Sequence, residues 1–442
     1  IKIFDKTLAS RLAVDLPLLV GKHQSAFVRG RSIHDNFMLV QCTARKLHAL
    51  RDPAIMLKLD ISKAFDSVQW PFLLEVLRKA GFGGRWITWI CGMLASASTR
   101  IMVNSTPGRP IYNTVGLRQG APLSPMLFIL IMEPLHRMFE LATAKGLLQP
   151  LARTGLHHCL SMFADDVMIF LKPNERDMNM CASILTLFGE ASGLRANLAK
   201  SAVYPIRFSD EIMESVERAL GCPRGAFPCK YLGLPLTLRK QSHVQLSGLV
   251  DQLATALPKW KAARMPKSGR MLLVQSVLCA IPLHAMMALD LPQKTISAMN
   301  RICRSFLWCA ESSSSGGNCA VAWEAVCAPK WAGGLGIPNL GWMNKAVQAR
   351  WPWLQRSDTS RPWAEFDITV PKASRQLFNA AARWVLGDGN TTLFWEDRWL
   401  EGHRIVEIAP LTYGRVRKRI RGTCTVSQAL QNDRWVAQVS QE

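Results

Sequence analysis

At 442 residues the chain exceeds one ordinary domain, and typical domain size divides it into about two to four. A hydrophobic share of 49% against 19% charged excludes wholesale disorder. The 54 Lys and Arg against 32 Asp and Glu leave a net charge of +22, which suits a polyanion because each neutralised phosphate releases a condensed counterion.

The opening residues Ile1, Phe4, Leu8 and Leu12 keep helical spacing. A chain that begins inside a helix reads as a piece of something longer. Residues 31–50 predict a helix on Ile33, Phe37, Val40, Ala44 and Leu47. The run 54–60 (AIMLKLD) predicts a short buried strand that ends on an acid. Trp70-Pro71 opens a helix that Gly81 closes, proline first and glycine last. Ser124-Pro125 opens another to about Ala144. LSMFADDVMIFL is two apolar arms around an acidic tip, the pattern of a hairpin. A helix over 177–191 ends at Ser192-Gly193, a strand follows near 201–205, and 228–236 (PCKYLGLPL) is apolar and bounded by turns. Long helical patterns then cover 243–257, 268–281 and 293–309. The Ser/Gly-rich stretch 311–318 is the clearest linker, and the sequence after it is Trp-rich.

Twelve cysteines without the tight spacing of a disulfide framework point to a reducing compartment. The apolar run 126–132 is closed by Glu133, far short of a membrane span, and no basic amphipathic anchor helix is evident. No membrane partner is expected.

The acids carry the chemistry. Asp165 and Asp166 sit between arms that both favour burial, and only a tight turn brings neighbouring strand carboxylates toward one point. Two like charges held together there need a cation, and carboxylate oxygens suit Mg²⁺. An isolated Asp-Asp pair is more often a solvated turn. Asp60 ends a second apolar strand, although a lone acid there more often caps the next segment. Three carboxylates on neighbouring strands could bridge the two ions that nucleotidyl transfer needs, about 3.5–4 Å apart.

The order of LKLDISKAFDSVQW, GLRQGAPLSPMLF, FADD, SGLRANLAKS and KYLGLPL resembles the palm motifs of reverse transcriptases, specifically of the non-LTR (LINE-type) retroelements of plants. HQSAFVRGRSIHDN and FWEDRWL resemble that family too, so the likeness runs along nearly the whole chain. It implies an α+β right-hand polymerase: fingers and an antiparallel palm over 1–235, a helical thumb or connection over 236–310, and a mostly helical C-terminal region over 311–442. Asp60, Asp165 and Asp166 would hold two Mg²⁺ ions, with Mn²⁺ as a substitute. Phe65 would be the bulky gate against a ribose 2′-hydroxyl. Arg118, Gln119 and Gly120 would line the nucleotide pocket, Arg29 and Arg31 would meet the triphosphate, and Lys200 would serve the leaving pyrophosphate. Tyr231, Leu232 and Gly233 would grip the primer. The resemblance places Ala121 where plant elements carry Asp. Asp66 is expected to cap a helix rather than take part in catalysis.

The segment AWEAVCAPKWAGGLGIPNL resembles the region that follows plant LINE polymerases and is named for zinc binding. Cys303, Cys309, Cys319 and Cys327 lack C-x₂-C spacing, and His157-His158 and His284 offer no clamp, so zinc is not expected within this chain. Among Trp351, Trp353, Trp384, Trp395 and Trp399, core packing is the prevailing expectation over base stacking. The basic run 415–421 suits phosphate contact or nuclear import.

The implied function is RNA-directed DNA synthesis, with an RNA template, a DNA primer or nicked target DNA, and dNTPs as partners. The implied location is the nucleus, with a cytoplasmic ribonucleoprotein stage, and no LINE endonuclease is expected in this chain. An intron maturase is the second enzyme reading. A viral RNA polymerase would carry GDD and lack the gate. From another class, the alternative is a catalytically silent remnant that only binds nucleic acid.

Overall fold

The computed structural model describes residues 2–152, 156, 160–256, 264–311 and 319–439. His157-His158 and most of the 311–318 linker lie outside the described residues. The chain forms two compact units: Ile1–Leu246 with Ser360–Phe366, and Ser247–Thr359 with Asp367–Glu442.

The first unit mixes helices with an antiparallel sheet. Helix α1 (Lys2–Leu19) buries Leu8, Leu12 and Leu16. Helix α2 (Ile33–Leu50) begins at a capping box in which Ser32 and Asp35 satisfy each other's backbone N–H. Strand β1 (Ala54–Leu59) is the expected buried run. Helix α3 (Trp70–Lys79) carries Pro71 in its first turn and buries Leu73 and Leu77 fully, each stabilising the fold by about 2 kcal/mol. Helix α4 (Gly84–Ala95) leads into an exposed ribbon of four short strands, β2 (Ser98–Thr99), β3 (Met102–Val103), β4 (Thr106–Pro107) and β5 (Ile111–Tyr112). The ribbon has no counterpart among the expected elements, because two-residue strands leave no period to read.

Helix α5 (Ser124–Ala144) runs through the core. Strands β6 (Leu160–Phe163) and β7 (Asp166–Leu171) form the expected hairpin, and helix α6 (Glu175–Ser192) stops at Gly193, φ +82°. A Cβ at Gly193 would lie 2.1 Å from the Ser67 carbonyl oxygen, so that close approach admits only glycine. Strand β8 (Ala202–Ile206), helix α7 (Asp210–Leu220) and the hairpin β9 (Cys229–Tyr231) with β10 (Leu234–Leu236) complete the unit. The main sheet has the order β6-β7-β1-β8, antiparallel throughout. Helices α3, α5 and α6 share its apolar core with α1.

The second unit is helical and irregular. Ser247–Thr255 and Gln293–Cys309 fall within expected helices. The third breaks up: Lys267–Leu273 passes into a π-turn at Val274–Leu278, and Leu283–Ala288 resumes beyond Pro282. By length and composition Lys267–Ala288 could cross a membrane; its broken pieces pack on Gln293–Cys309 and Leu340–Gln348. Trp351 and Trp395 are fully buried and Trp399 joins Phe394 in a small core, whereas Trp353 is exposed.

Candidate active site

The register builds the site. Leu59 of β1 faces Val167 of β7, and Phe163 faces Asp166 across the β6–β7 hairpin. One more step along the β1–β7 register puts Asp60 opposite Asp166, and Asp165 fills the two-residue turn beside it. Of Ala164 and Asp165, only Ala164 has positive φ, at 54°, as in a type II′ turn. That position usually goes to glycine, so Ala164 holds the turn at a small backbone cost. The three carboxylates are thereby brought to one end of the two central strands, β1 and β7.

The electrostatics follow from that placement. The surrounding sheet restricts hydration of the Asp166 carboxylate and raises its pKa; Asp165 and Asp60 raise it further, and Lys58 opposes them. Among the described residues no group of three or more His, Cys, Asp or Glu side chains is arranged to hold a metal ion. Carboxylates are nonetheless the donors that suit a hard cation, which takes one or two of them and completes its octahedron with water and phosphate oxygens.

Several groups that hold the cluster lie within HQSAFVRGRSIHDN and SGLRANLAKS but carry no individual signal in the sequence. The Gln24 side chain, fully buried, accepts through Oε1 from the backbone N–H of Ala26 and of Ala164, both at 3.0 Å. Asn36 Nδ2 lies 2.8–2.9 Å from the His23 and Met162 carbonyls and the Ser161 hydroxyl. Both residues clamp the 21–28 loop to β6 directly below the acidic turn. The Asp60 N–H donates to Ser201 Oγ at 3.0 Å, and the Asp60 carbonyl accepts from Asn197 N–H at 2.7 Å. Lys58 donates to the Lys230 carbonyl at 3.0 Å and so ties β1 to the β9–β10 hairpin.

The remaining expected residues divide. Phe65 stacks on Phe128, with centroids 4.6 Å apart, so its ring is fixed at the edge of the core five residues past Asp60. Its carbonyl accepts from Leu117 N–H at 2.7 Å, which draws the 116–121 loop alongside. Gly116, φ +84°, is the glycine this contact demands: a Cβ there would lie 2.8 Å from the Asp66 carbonyl oxygen. Arg118, Gln119 and Gly120 are all exposed, and Gln119 donates to Asp66 Oδ1 at 3.0 Å. Asp66 therefore orients the loop and does not cap a helix; the N-cap of α3 is Gln69, without a side-chain bond. A cavity behind the loop, lined by Asp5, Arg118 and Ala121 among others, has about 40 Å³ and is far too small for a nucleotide.

Arg29 is exposed. Arg31 instead donates to the carbonyls of Pro17, Val20, Gly21 and Gln24 at 2.5–3.1 Å. That places its terminal nitrogens inside the loop, pinning the segment that carries Gln24. Lys200 is exposed on the turn whose neighbours Asn197 and Ser201 bond Asp60. Tyr231 is buried and stacks on Phe37 at 6.5 Å, so its side chain anchors the hairpin and does not reach solvent. Leu232 and Gly233, φ +48° and +81°, form the outward turn.

Residues 1–236 match the family model described as "Reverse transcriptase (RNA-dependent DNA polymerase)". The chain is 29% identical over 336 residues to the transposon TX1 uncharacterized 149 kDa protein of Xenopus laevis, covering 72% of this chain and 24% of that protein. It is 23% identical over 361 residues to the Pol polyprotein of the type-2 retrotransposable element R2DM of Drosophila melanogaster, covering 77% and 32%. An R2 Pol polyprotein of Nasonia vitripennis matches at 29% over 172 residues, 39% of this chain and 16% of that one. The chain thus spans a third or less of each of these relatives. A solved telomerase of Candida albicans, in complex with a telomeric RNA fragment, aligns over 83% of this chain and 57% of that chain, with a TM-score of 0.39 and 11% identity, too loose a likeness to argue from.

Proposed function

The chain belongs to the reverse transcriptase family, with relatives among non-LTR retrotransposons, and from that premise we propose that it is the RNA-directed DNA polymerase of such an element, of the LINE type found in plants. The observation that carries the reading is the register that sets Asp60 opposite Asp166 and beside Asp165. The net charge of +22 suits an RNA template and a DNA primer.

Asp60, Asp165 and Asp166 would hold Mg²⁺. The bound metal would supply Lewis-acid activation of the primer 3′-hydroxyl and neutralise charge on the departing pyrophosphate. The chain's own residues do the rest. The Phe65 ring, braced by Phe128, excludes a 2′-hydroxyl by bulk and offers it no hydrogen bond. Gln119, held by Asp66, presents the 116–121 loop to the nucleotide. Lys200 is free to follow the pyrophosphate, a role suited to a mobile ammonium. Arg29 remains the candidate for the triphosphate. The Leu232-Gly233 turn, braced from below by Tyr231, meets the primer end.

In this reading 1–235 forms fingers and palm, 236–310 a helical thumb, and 311–442 the region that follows it. The reaction would take place in the nucleus, on nicked target DNA. The test is dTTP incorporation on poly(rA)/oligo(dT) with Mg²⁺, compared with Asp165→Asn/Asp166→Asn. Incorporation that the double variant loses supports the reading. An unmutated chain that binds the template–primer without extending it overturns the enzyme and leaves a binding protein.

A further inference from the structure

Residues 98–112 leave the core after α4 and return to it just before the 116–121 loop. They form one two-part ribbon: Ser98–Thr99 pairs with Ile111–Tyr112, and Met102–Val103 pairs with Thr106–Pro107. Asn104 and Ser105 close it, both with positive φ of 49° and 65°, as a type I′ turn requires. Every residue from 98 to 115 is exposed. Ile101, Met102, Val103, Ile111 and Tyr112 each leave 53–65% of their surface in water. Such a ribbon is unfavourable to leave uncovered, and an apolar patch of this kind marks an interaction surface.

Charge identifies the partner. Between residues 96 and 120 the sequence holds Arg100, Arg109 and Arg118 and no acidic residue at all. The base of the ribbon is fastened to the site described above: Asn113 N–H donates to the Ala97 carbonyl at 3.0 Å, and Trp70 Nε1 donates to the Gly116 carbonyl at 2.8 Å. Three residues further on, Gln119 bonds Asp66. A cationic, apolar arm continuous with the nucleotide loop suits the strand that runs into the site. A duplex would present only phosphates to the arginines and leave the apolar side chains uncovered. An unpaired strand offers phosphates and base faces together.

We propose that the 98–112 arm grips the unpaired RNA template next to the active site, with Arg100 and Arg109 on phosphates and Tyr112 stacked on a base. This rests on the polymerase reading above. The test measures, by fluorescence anisotropy, affinity for an RNA template–DNA primer with a long 5′ RNA overhang and for a flush duplex. Tyr112→Ala is expected to weaken the overhang complex about tenfold, as loss of one stacked base does. Arg100→Gln/Arg109→Gln is expected to lower the slope of log affinity on log salt by about 1.4, the value for two single-strand phosphates. Flush-duplex affinity, the thermal midpoint and kcat at saturating template remain as in the unmutated chain.

Unchanged overhang affinity in both variants overturns the proposal. So does a concentration-dependent dimer, seen by sedimentation, that the same substitutions abolish, because the ribbon then covers a second copy. If the unmutated chain binds the overhang without extending the primer, the polymerase reading fails while the binding comparison still decides the role of the arm.

Discussion

Gln24→Leu isolates the link between a loop near the start of the chain and the acidic turn. Leucine matches glutamine closely in volume, so the change leaves no sizeable cavity and removes one acceptor. In the structure Gln24 Oε1 serves two buried backbone donors, Ala26 N–H and Ala164 N–H. A stranded buried donor costs about 1–3 kcal/mol, so the pair sets a range of about 2–6 kcal/mol, reduced by the burial of the leucine itself to about 3 kcal/mol. That is a large share of the stability of an ordinary domain, yet the fold survives it. The turn has a second reason to move, since Ala164 is held at a φ of 54° that a free alanine avoids. A shift of about 1 Å at the neighbouring Asp165 lowers turnover by about a hundredfold. Urea unfolding gives the stability change, and single-turnover primer extension gives the rate at saturating dTTP. A loss of stability under about 1 kcal/mol with an unchanged rate refutes the argument that Gln24 holds the turn.

Three further outcomes follow from the charges. Arg361→Met strips from Asp35 the guanidinium whose Nη1 is shared between its two carboxylate oxygens at 2.9 and 2.8 Å, and leaves a buried carboxylate short of compensation; the first unit should lose about 3 kcal/mol by urea unfolding, and Asp35→Asn in addition should restore part of it. The folded pKa of Asp166 lies above its ordinary value, so the metal-free fold binds more protons there than the unfolded chain and loses stability as pH rises through that interval. Mg²⁺ with dTTP should therefore raise the thermal midpoint less once the pH falls into that interval than at neutral pH, and a response equal at both, or unaffected by Asp165→Asn/Asp166→Asn, sinks the assignment. His23 of the 21–28 loop stacks on His136 of α5 with ring centroids 3.2 Å apart, and burial lowers both pKa values, that of His136 from 6.5 to about 4. The unfolded chain thus takes up protons first, and stability present above about pH 6.5 is lost as pH falls toward 4; His136→Phe should flatten that part of the stability–pH curve.

The parts of this site that sequence makes legible are those in which one residue's chemistry conflicts with its neighbours. Asp60 and the Asp165-Asp166 pair stand out because acids end apolar runs, and strand alternation then dictates where they meet. The glycine after Ser192 stands out because it follows a helical period. Gln24 and Asn36 carry no such conflict: a polar residue in a short loop, or in the first turn of a helix, is the commonest thing to find there, and its burial exists only once β6 lies against it. Arg31 shows the converse. Its charge suggests an anion, whereas the end of α1 and the residues after it, 17–24, turn four carbonyls inward and need a donor of that shape. Tyr231 lies within the expected KYLGLPL hairpin, yet alternation sends its ring inward onto Phe37 and leaves the turn to face outward. Asp66 was legible as a local acid but not as the partner of Gln119, 53 positions along.

The segment Ser360–Phe366 carries this limit furthest. It belongs to the first unit although it lies more than a hundred residues beyond the rest of it. Arg361 and Trp363 close on Asp35 from 326 and 328 positions away, and Trp363 Nε1 donates at 2.7 Å. Asp35 is at the same time the residue whose carboxylate accepts from Ser32 N–H in the capping box of α2. Helix α2 in turn carries Asn36, the clamp on β6 beneath the acidic turn. A short chain of contacts therefore runs from Arg361 through the start of α2 to the strand that presents Asp165 and Asp166. Residues 1–236 hold the carboxylates and match the family, but part of what fixes Asp35 is supplied from outside that span. Burying Asp35 alone would cost several kcal/mol, which the capping box offsets only in part. The segment that completes the offset is thus as much a part of the first unit as the loop it secures.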